Sequence, residues 1–118
     1  MNVLLLEDEK DLSAVAVEQL ESRGYNVYPA GTLAEAWKIF KQDPSNIDIL
    51  IADHEVPDGS GAHFAIEIKG ASEKIKVLVV SGKLSIDNVE ELEAHGIPYF
   101  NKPFPYASVV NQLIDDNL

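Results

Sequence analysis

The sequence predicts a single doubly wound α/β domain. Short apolar runs recur along the chain, and segments with apolar residues at helical spacing separate them. The runs are apolar along most of their length, without the alternation of a half-exposed strand. That suits a parallel sheet covered by helices on both faces. At 118 residues the chain has the length of one domain, taken here as residues 1–118.

The elements follow in order. Val3–Leu6 is the first strand. Leu12, Val15, Ala16 and Leu20 then give a helix, and Gly24 stands where it should end in a left-handed cap. Tyr25–Tyr28 is the second strand. Leu33, Ala36, Trp37 and Phe40 give the clearest apolar stripe, with Thr32 and Glu35 at the spacing of a capping box. Trp37 is expected in the core. Ile47–Ala52 is the third strand, and Phe64, Ala65 and Ile68 mark a short third helix. Lys76–Val80 is the fourth strand. Ile86, Val89 and Leu92 form the fourth helix, with Ser85 as N-cap and Gly96 as the residue that ends it. Ile97–Phe100 is the last strand. Val109, Val110, Leu113 and Ile114 give a fifth helix, with Pro105 suited to its first turn.

Composition excludes several functions. Twenty acids against nine bases leave a net charge of −11, which argues against direct binding to nucleic acid or to an anionic membrane surface. There is no cysteine, hence no disulfide, thiol nucleophile or thiolate metal site. No apolar run approaches the roughly 20 residues that span a bilayer. Met1-Asn2 leads straight into an apolar strand without a basic region or cleavage site, so a cytoplasmic location is expected.

In a doubly wound sheet, ligands bind beyond the carboxyl ends of the strands. Those ends carry Glu7-Asp8-Glu9, Asp53-His54-Glu55, Ser81-Gly82 and Asn101-Lys102-Pro103. One rim would then hold Glu7, Asp8 and Asp53, a hydroxyl and an ammonium. Two like charges about 4 Å apart repel by about 4 kcal/mol at an effective dielectric near 20. Three carboxylates therefore call for a cation, and an all-oxygen donor set suits Mg²⁺. Mg²⁺ with few protein ligands usually shares its site with a phosphate, whose remaining oxygens Ser81 and Lys102 could bind. A carboxylate beside the metal can attack phosphorus. Position and residue type together point to acyl-phosphate chemistry on an aspartate.

The same residues resemble the receiver domain of bacterial two-component response regulators, over nearly the whole chain. The resemblance rests on Leu6-Glu7-Asp8-Glu9, on Asp53 through Pro57-Asp58-Gly59-Ser60-Gly61, on Val80-Ser81-Gly82, and on Tyr99-Phe100-Asn101-Lys102-Pro103-Phe104. It implies a flavodoxin-like fold, a five-stranded parallel sheet in the order 2-1-3-4-5 with five helices. It implies that Asp53 accepts a phosphoryl group from a sensor histidine kinase or a phosphotransfer protein, with Mg²⁺ as cofactor. Asp8 matches the direct metal ligand, Glu7 an acid acting through metal-bound water, and Glu55 the residue whose backbone carbonyl completes the metal shell. Lys102 matches the lysine that pairs with phosphoryl oxygens, and Ser81 the hydroxyl that moves toward them. Tyr99 matches an aromatic residue that turns inward after Ser81. Pro103 matches a proline that commonly follows a cis peptide bond.

Glu55 and Lys83 stand two residues beyond Asp53 and Ser81. They are expected to flank the phosphoryl group, pair, and slow hydrolysis; Gly82 should leave a gap for small phosphodonors. Pro57 through Gly61 reads as loop scaffolding. His54, His63 and His95 read as surface or cap residues. The signal is expected to leave through the fourth helix, fifth strand and fifth helix, to a downstream protein or an output domain missing from this chain. The domain would be a monomer or weak homodimer, and would catalyse only its own phosphorylation and dephosphorylation. Met1 before the first strand and the end at Leu118 fit a stand-alone receiver or one cut from a longer chain. Two other classes compete: an aspartate-nucleophile, Mg²⁺-dependent phosphohydrolase, and a receiver-like interaction module that is never phosphorylated.

Overall fold

The computed structural model describes residues 1–102 together with Pro105 and Tyr106. The elements are β1 (Asn2–Leu6), α1 (Lys10–Glu21), β2 (Asn26–Ala30), α2 (Leu33–Gln42), β3 (Ile49–Asp53), β4 (Glu55–Val56), β5 (Gly59–Ser60), α3 (Gly61–Ala71), β6 (Lys76–Ser81), α4 (Ile86–Ala94) and β7 (Tyr99–Asn101). A short 3-10 turn, Pro44–Asn46, precedes β3. β2, β1, β3, β6 and β7 form one parallel sheet in that order, which is the expected 2-1-3-4-5 of the long strands. The expected fifth helix and Pro103 lie outside the described residues.

Strand alternation divides the core into two layers. Leu4, Leu6, Leu50, Ala52, Val77 and Val79 face one side and pack with Ala36, Phe40, Ala65, Ile68 and Leu92 of α2, α3 and α4. Val3, Leu5, Ile49, Ile51, Leu78 and Val80 face the other and pack with Ala16 and Leu20 of α1 and with Tyr106. Each fully buried Leu, Ile or Val contributes about 1.5–3 kcal/mol relative to an exposed one. The two layers explain why these strands are apolar on both faces. Trp37 is partly buried, with its ring edge-on to Phe64 at a centroid distance of 4.8 Å.

Several boundaries move from their expected places. Gly24 takes φ 89°, as a left-handed cap should. The chain then turns Tyr25 into the core at 8% exposure, so β2 pairing starts at Asn26. Ile47 and Ile97 are buried, yet pairing begins only at Ile49 and Tyr99. Gly96, φ 68°, ends α4 as expected. The caps also differ in detail. Ser85 and Asn88 form a complete capping box on α4. Thr32 accepts the Glu35 N–H at 3.1 Å, but the Glu35 carboxylate accepts from Gly31 N–H instead of Thr32 N–H.

The segment read as loop holds β4 and β5, a hairpin pairing Glu55 with Ser60 and Val56 with Gly59. Strands this short have no period to detect. The scaffolding role has a specific form. The Asp58 carboxylate accepts the Leu33 and Ala34 N–H groups, at 2.7 and 3.1 Å, capping α2 from a distance in sequence. The Leu33 bond is the largest influence on the Asp58 carboxyl and holds it below the usual carboxylate range. Ser60 accepts the His63 N–H and so caps α3. No described helix is long and apolar enough to cross a membrane.

Candidate functional site

The strand ends on one rim bring the expected residues together. Glu7 extends the face of β1 that carries Val3 and Leu5, and Asp53 extends the face of β3 that carries Ile49 and Ile51. Lys102 follows β7, where its N–H donates to the Ser81 carbonyl at 2.9 Å. Its ammonium donates to Glu7 Oε1 at 2.6 Å and to Asp53 Oδ2 at 3.0 Å. The Glu7 side chain is 1% exposed, Asp53 11% and Lys102 19%. Burial alone would depress the Lys102 ammonium. The hydrogen bonds to Glu7 and then Asp53 outweigh it and hold the group above the usual lysine range. Lys102 is therefore a fixed positive charge at physiological pH.

A cation fits the same rim. Carboxylate oxygens of Glu7, Asp8 and Asp53 lie within 4.8 Å of one another. The donors are all oxygen, which suits a hard ion such as Mg²⁺. Lys102 reaches two of the three carboxylates and leaves the exposed Asp8 to solvent or metal.

The hydroxyl and the aromatic residue stand on the other face of the sheet. Ser81 continues the face of Val77 and Val79, and Tyr99 packs against the same layer. The Ser81 hydroxyl is 4% exposed and is engaged in its own turn. It donates to the Lys83 carbonyl at 3.0 Å and accepts the Lys83 N–H at 3.1 Å. Tyr99 donates its hydroxyl to Glu93 Oε1 at 2.6 Å, and that bond raises its pKa. Both expected switch residues are thus at hand but bonded elsewhere.

A cavity of about 770 Å³ opens beside Asp53, with Asp8, Ser81, Gly82, Lys83 and Lys102 in its wall. Glu55 and Lys83 are both exposed there, yet they form no ion pair. Between two exposed side chains such a pair would gain little. Gly82 borders open space, since a Cβ there would meet nothing within 4 Å.

Three residues near the site were given no part in it by the sequence. His54, expected at the surface, is 8% exposed, and its Nδ1 is buried without a partner. Leu50 and Ala52 point inward, and two residues on His54 follows them; that alternation was the available signal. Tyr106 is 7% exposed, and burial, followed by the charge of Glu7, pushes its phenol up to about 12. Gly61 packs on the backbone of Asp53 itself: a Cβ there would overlap the Asp53 carbonyl oxygen and lie 2.8 Å from its carbon. His63 and His95 are as expected. His63 lies exposed, 3.4 Å from Glu91, and the His95 ring bonds the Glu91 carbonyl at the end of α4.

Comparison with known proteins agrees with this geometry. Residues 3–114 match the family model of the response regulator receiver domain. The chain is 30% identical over 122 residues to the sensor kinase CckA of Brucella abortus, covering 96% of the chain and 12% of that protein. It is 31% identical over 108 residues to the transcriptional regulatory protein VxrB of Vibrio cholerae, covering 91% of the chain and 42% of that protein. The chain therefore spans less than half of either relative. Among solved structures, the beryllofluoride-activated NtrC4 receiver domain dimer superposes with a TM-score of 0.85 at 27% identity, covering 99% of this chain and 98% of that one. A response regulator of Burkholderia pseudomallei, solved with a phosphorylated aspartic acid, calcium and citrate, gives 0.83 at 24% identity, covering 95% of this chain and 65% of that one.

Proposed function

The chain belongs to the family of response regulator receiver domains of two-component systems, and from that membership we propose that Asp53 is its phosphoacceptor. The observation that carries the assignment is the Lys102 ammonium held between Asp53 and Glu7 at the mouth of the cavity. An ammonium in that place neutralises charge as a phosphoryl group approaches the Asp53 carboxylate.

Glu7, Asp8, Asp53 and the Glu55 backbone carbonyl would hold Mg²⁺. When bound, the ion would supply positive charge that offsets the negative charge of the phosphoryl group. An Asp53 carboxylate oxygen would attack phosphorus as the bond from phosphorus to the donor breaks, and the donor would leave with that bond's electrons. Lys102 then pairs with a phosphoryl oxygen, and Ser81 leaves its turn to donate to another. Tyr99 exchanges Glu93 for the space that Ser81 vacates. Glu55, Gly82 and Lys83 border the path by which water and phosphodonor arrive, and so set the lifetime of the phosphorylated state.

The phosphodonor would be a sensor histidine kinase or a phosphotransfer protein, in the cytoplasm. The altered surface would include α4 and β7, and would act on a downstream protein or an attached output domain. Family membership does not favour turnover of external phosphoesters.

Incubation with a small acyl phosphate and Mg²⁺, followed by intact mass, tests the assignment. One phosphoryl group should be gained, lost on Asp53→Ala and on removal of Mg²⁺. No gain in the wild type would refute it and leave an unphosphorylated interaction module.

A further inference from the structure

His54 occupies a place that the chemistry of Asp53 does not account for. It is the buried histidine of the three, and its Nδ1 is the one buried side-chain nitrogen or oxygen among the described residues without a partner. Folded proteins keep few such atoms, because each gives up hydration for nothing.

Its neighbour is Ser81. Leu50 and Ala52 face the layer of α2, α3 and α4, and His54 is next on that face; Val77 and Val79 face the same layer, and Ser81 is next on theirs. The register pairs Asp53 with Val80, and the His54 N–H donates to the Val80 carbonyl at 3.3 Å. Continued one rung further, that register sets His54 beside Ser81, at the spacing of about 4.8 Å that separates paired strands. Both residues line the cavity at Asp53.

On the reading of Asp53 as phosphoacceptor, we propose that His54 is a positioning residue for the Ser81 hydroxyl in the phosphorylated state. His54 Nδ1–H donates to Ser81 Oγ, while the Ser81 O–H donates to a phosphoryl oxygen. In the present structure Ser81 gives its proton to the Lys83 carbonyl and its lone pair to the Lys83 N–H. Leaving that turn frees two backbone groups at an exposed residue, where water replaces them. The same movement gives the buried Nδ1 its partner. Phosphorylation thus completes a core hydrogen bond that the resting state lacks, which tilts the equilibrium toward the state with Ser81 engaged.

The test measures beryllofluoride affinity of the full chain with Mg²⁺, together with melting temperature in the absence of both. His54→Leu should weaken beryllofluoride binding by at least about fivefold, the scale of a buried group that loses its partner. His54→Asn, which keeps a nitrogen or oxygen near the Nδ1 position, should retain most of the affinity. In a Ser81→Ala background, His54→Leu should change nothing further. Without beryllofluoride, His54→Leu should melt above wild type, because it removes an unsatisfied atom.

Unchanged or tighter binding by His54→Leu, or an equal loss in the Ser81→Ala background, would overturn the proposal. A lower melting temperature would do so too, since it would mean that Nδ1 already has a partner at rest. Failure of the wild type to bind beryllofluoride would instead bring down the Asp53 reading itself.

Discussion

Gly61→Ala adds one methyl group at the most crowded point behind Asp53. The added Cβ would overlap the Asp53 carbonyl oxygen and come within 2.8 Å of its carbon. Neither can yield cheaply, because both belong to the backbone of a central strand. The first turn of α3 must instead move away from β3, which also breaks the 2.7 Å bond from Gly61 N–H to the His54 carbonyl. Overpacking costs about 1–3 kcal/mol and the lost bond about 1 kcal/mol, giving about 2–4 kcal/mol together. A domain of 118 residues unfolds with an entropy near 0.25 kcal/mol/K, so Tm should fall by roughly 8–16 °C. Phosphorylation by an acyl phosphate should slow as well, since the displaced backbone carries the acceptor. Gly70→Ala is the control on the same helix: a Cβ there meets nothing within 4 Å. It should add about 0.5–1 kcal/mol, or roughly 2–4 °C. Thermal melts and phosphorylation rates of both variants decide the matter. A Gly61→Ala protein that melts within about 2 °C of wild type and phosphorylates normally would refute the reasoning.

Three further outcomes follow from the same geometry. Asp58→Ala should lower Tm at neutral pH by uncapping α2; because the folded carboxyl titrates below its ordinary 3.8, the gap to wild type should close as pH falls through that lowered value. Lys102 and Tyr106 both titrate above their ordinary values of 10.5 and 10.0, so their stabilisation is whole below those values and is lost as pH rises through the folded ones. Tm should therefore hold to about pH 10 and fall beyond it, and Tyr106→Phe should remove the phenolate absorbance step near pH 12. Glu55→Ala and Lys83→Ala should each shorten the phosphorylated lifetime in a dephosphorylation time course, additively, because the two side chains are not paired at rest; a lifetime unchanged in both would remove them from the access path.

The sheet was legible because its three inner strands are buried on both faces, as Val3–Leu6 and Ile49–Ala52 show. The acidic rim was legible for a related reason: once the strands are parallel, whatever follows them shares an edge. Features fixed by contacts distant in sequence were hidden. Asp58 caps a helix 25 residues away, and no local pattern announces that. Gly61 looks like a turn glycine, and only the packing of α3 on β3 shows that it makes room for a backbone. His54 sits between two acids, and that local polarity masked the alternation that buries it. The bonds of Ser81 and Tyr99 were invisible for a different reason, since residue type says what a group can bond to and not which of several partners it holds.

The lysine between Glu7 and Asp53 has a consequence for how the protein comes into being. A cluster of carboxylates with no counter-ion of its own would make folding wait on metal, as it does in small domains built around a structural ion. Here the chain brings its own cation to the rim from the end of β7. On the proposed reading, a metal ion would join a rim whose negative charge the chain has already partly offset, so folding should not wait on it. The pool of folded receiver should then not rise and fall with the metal supply.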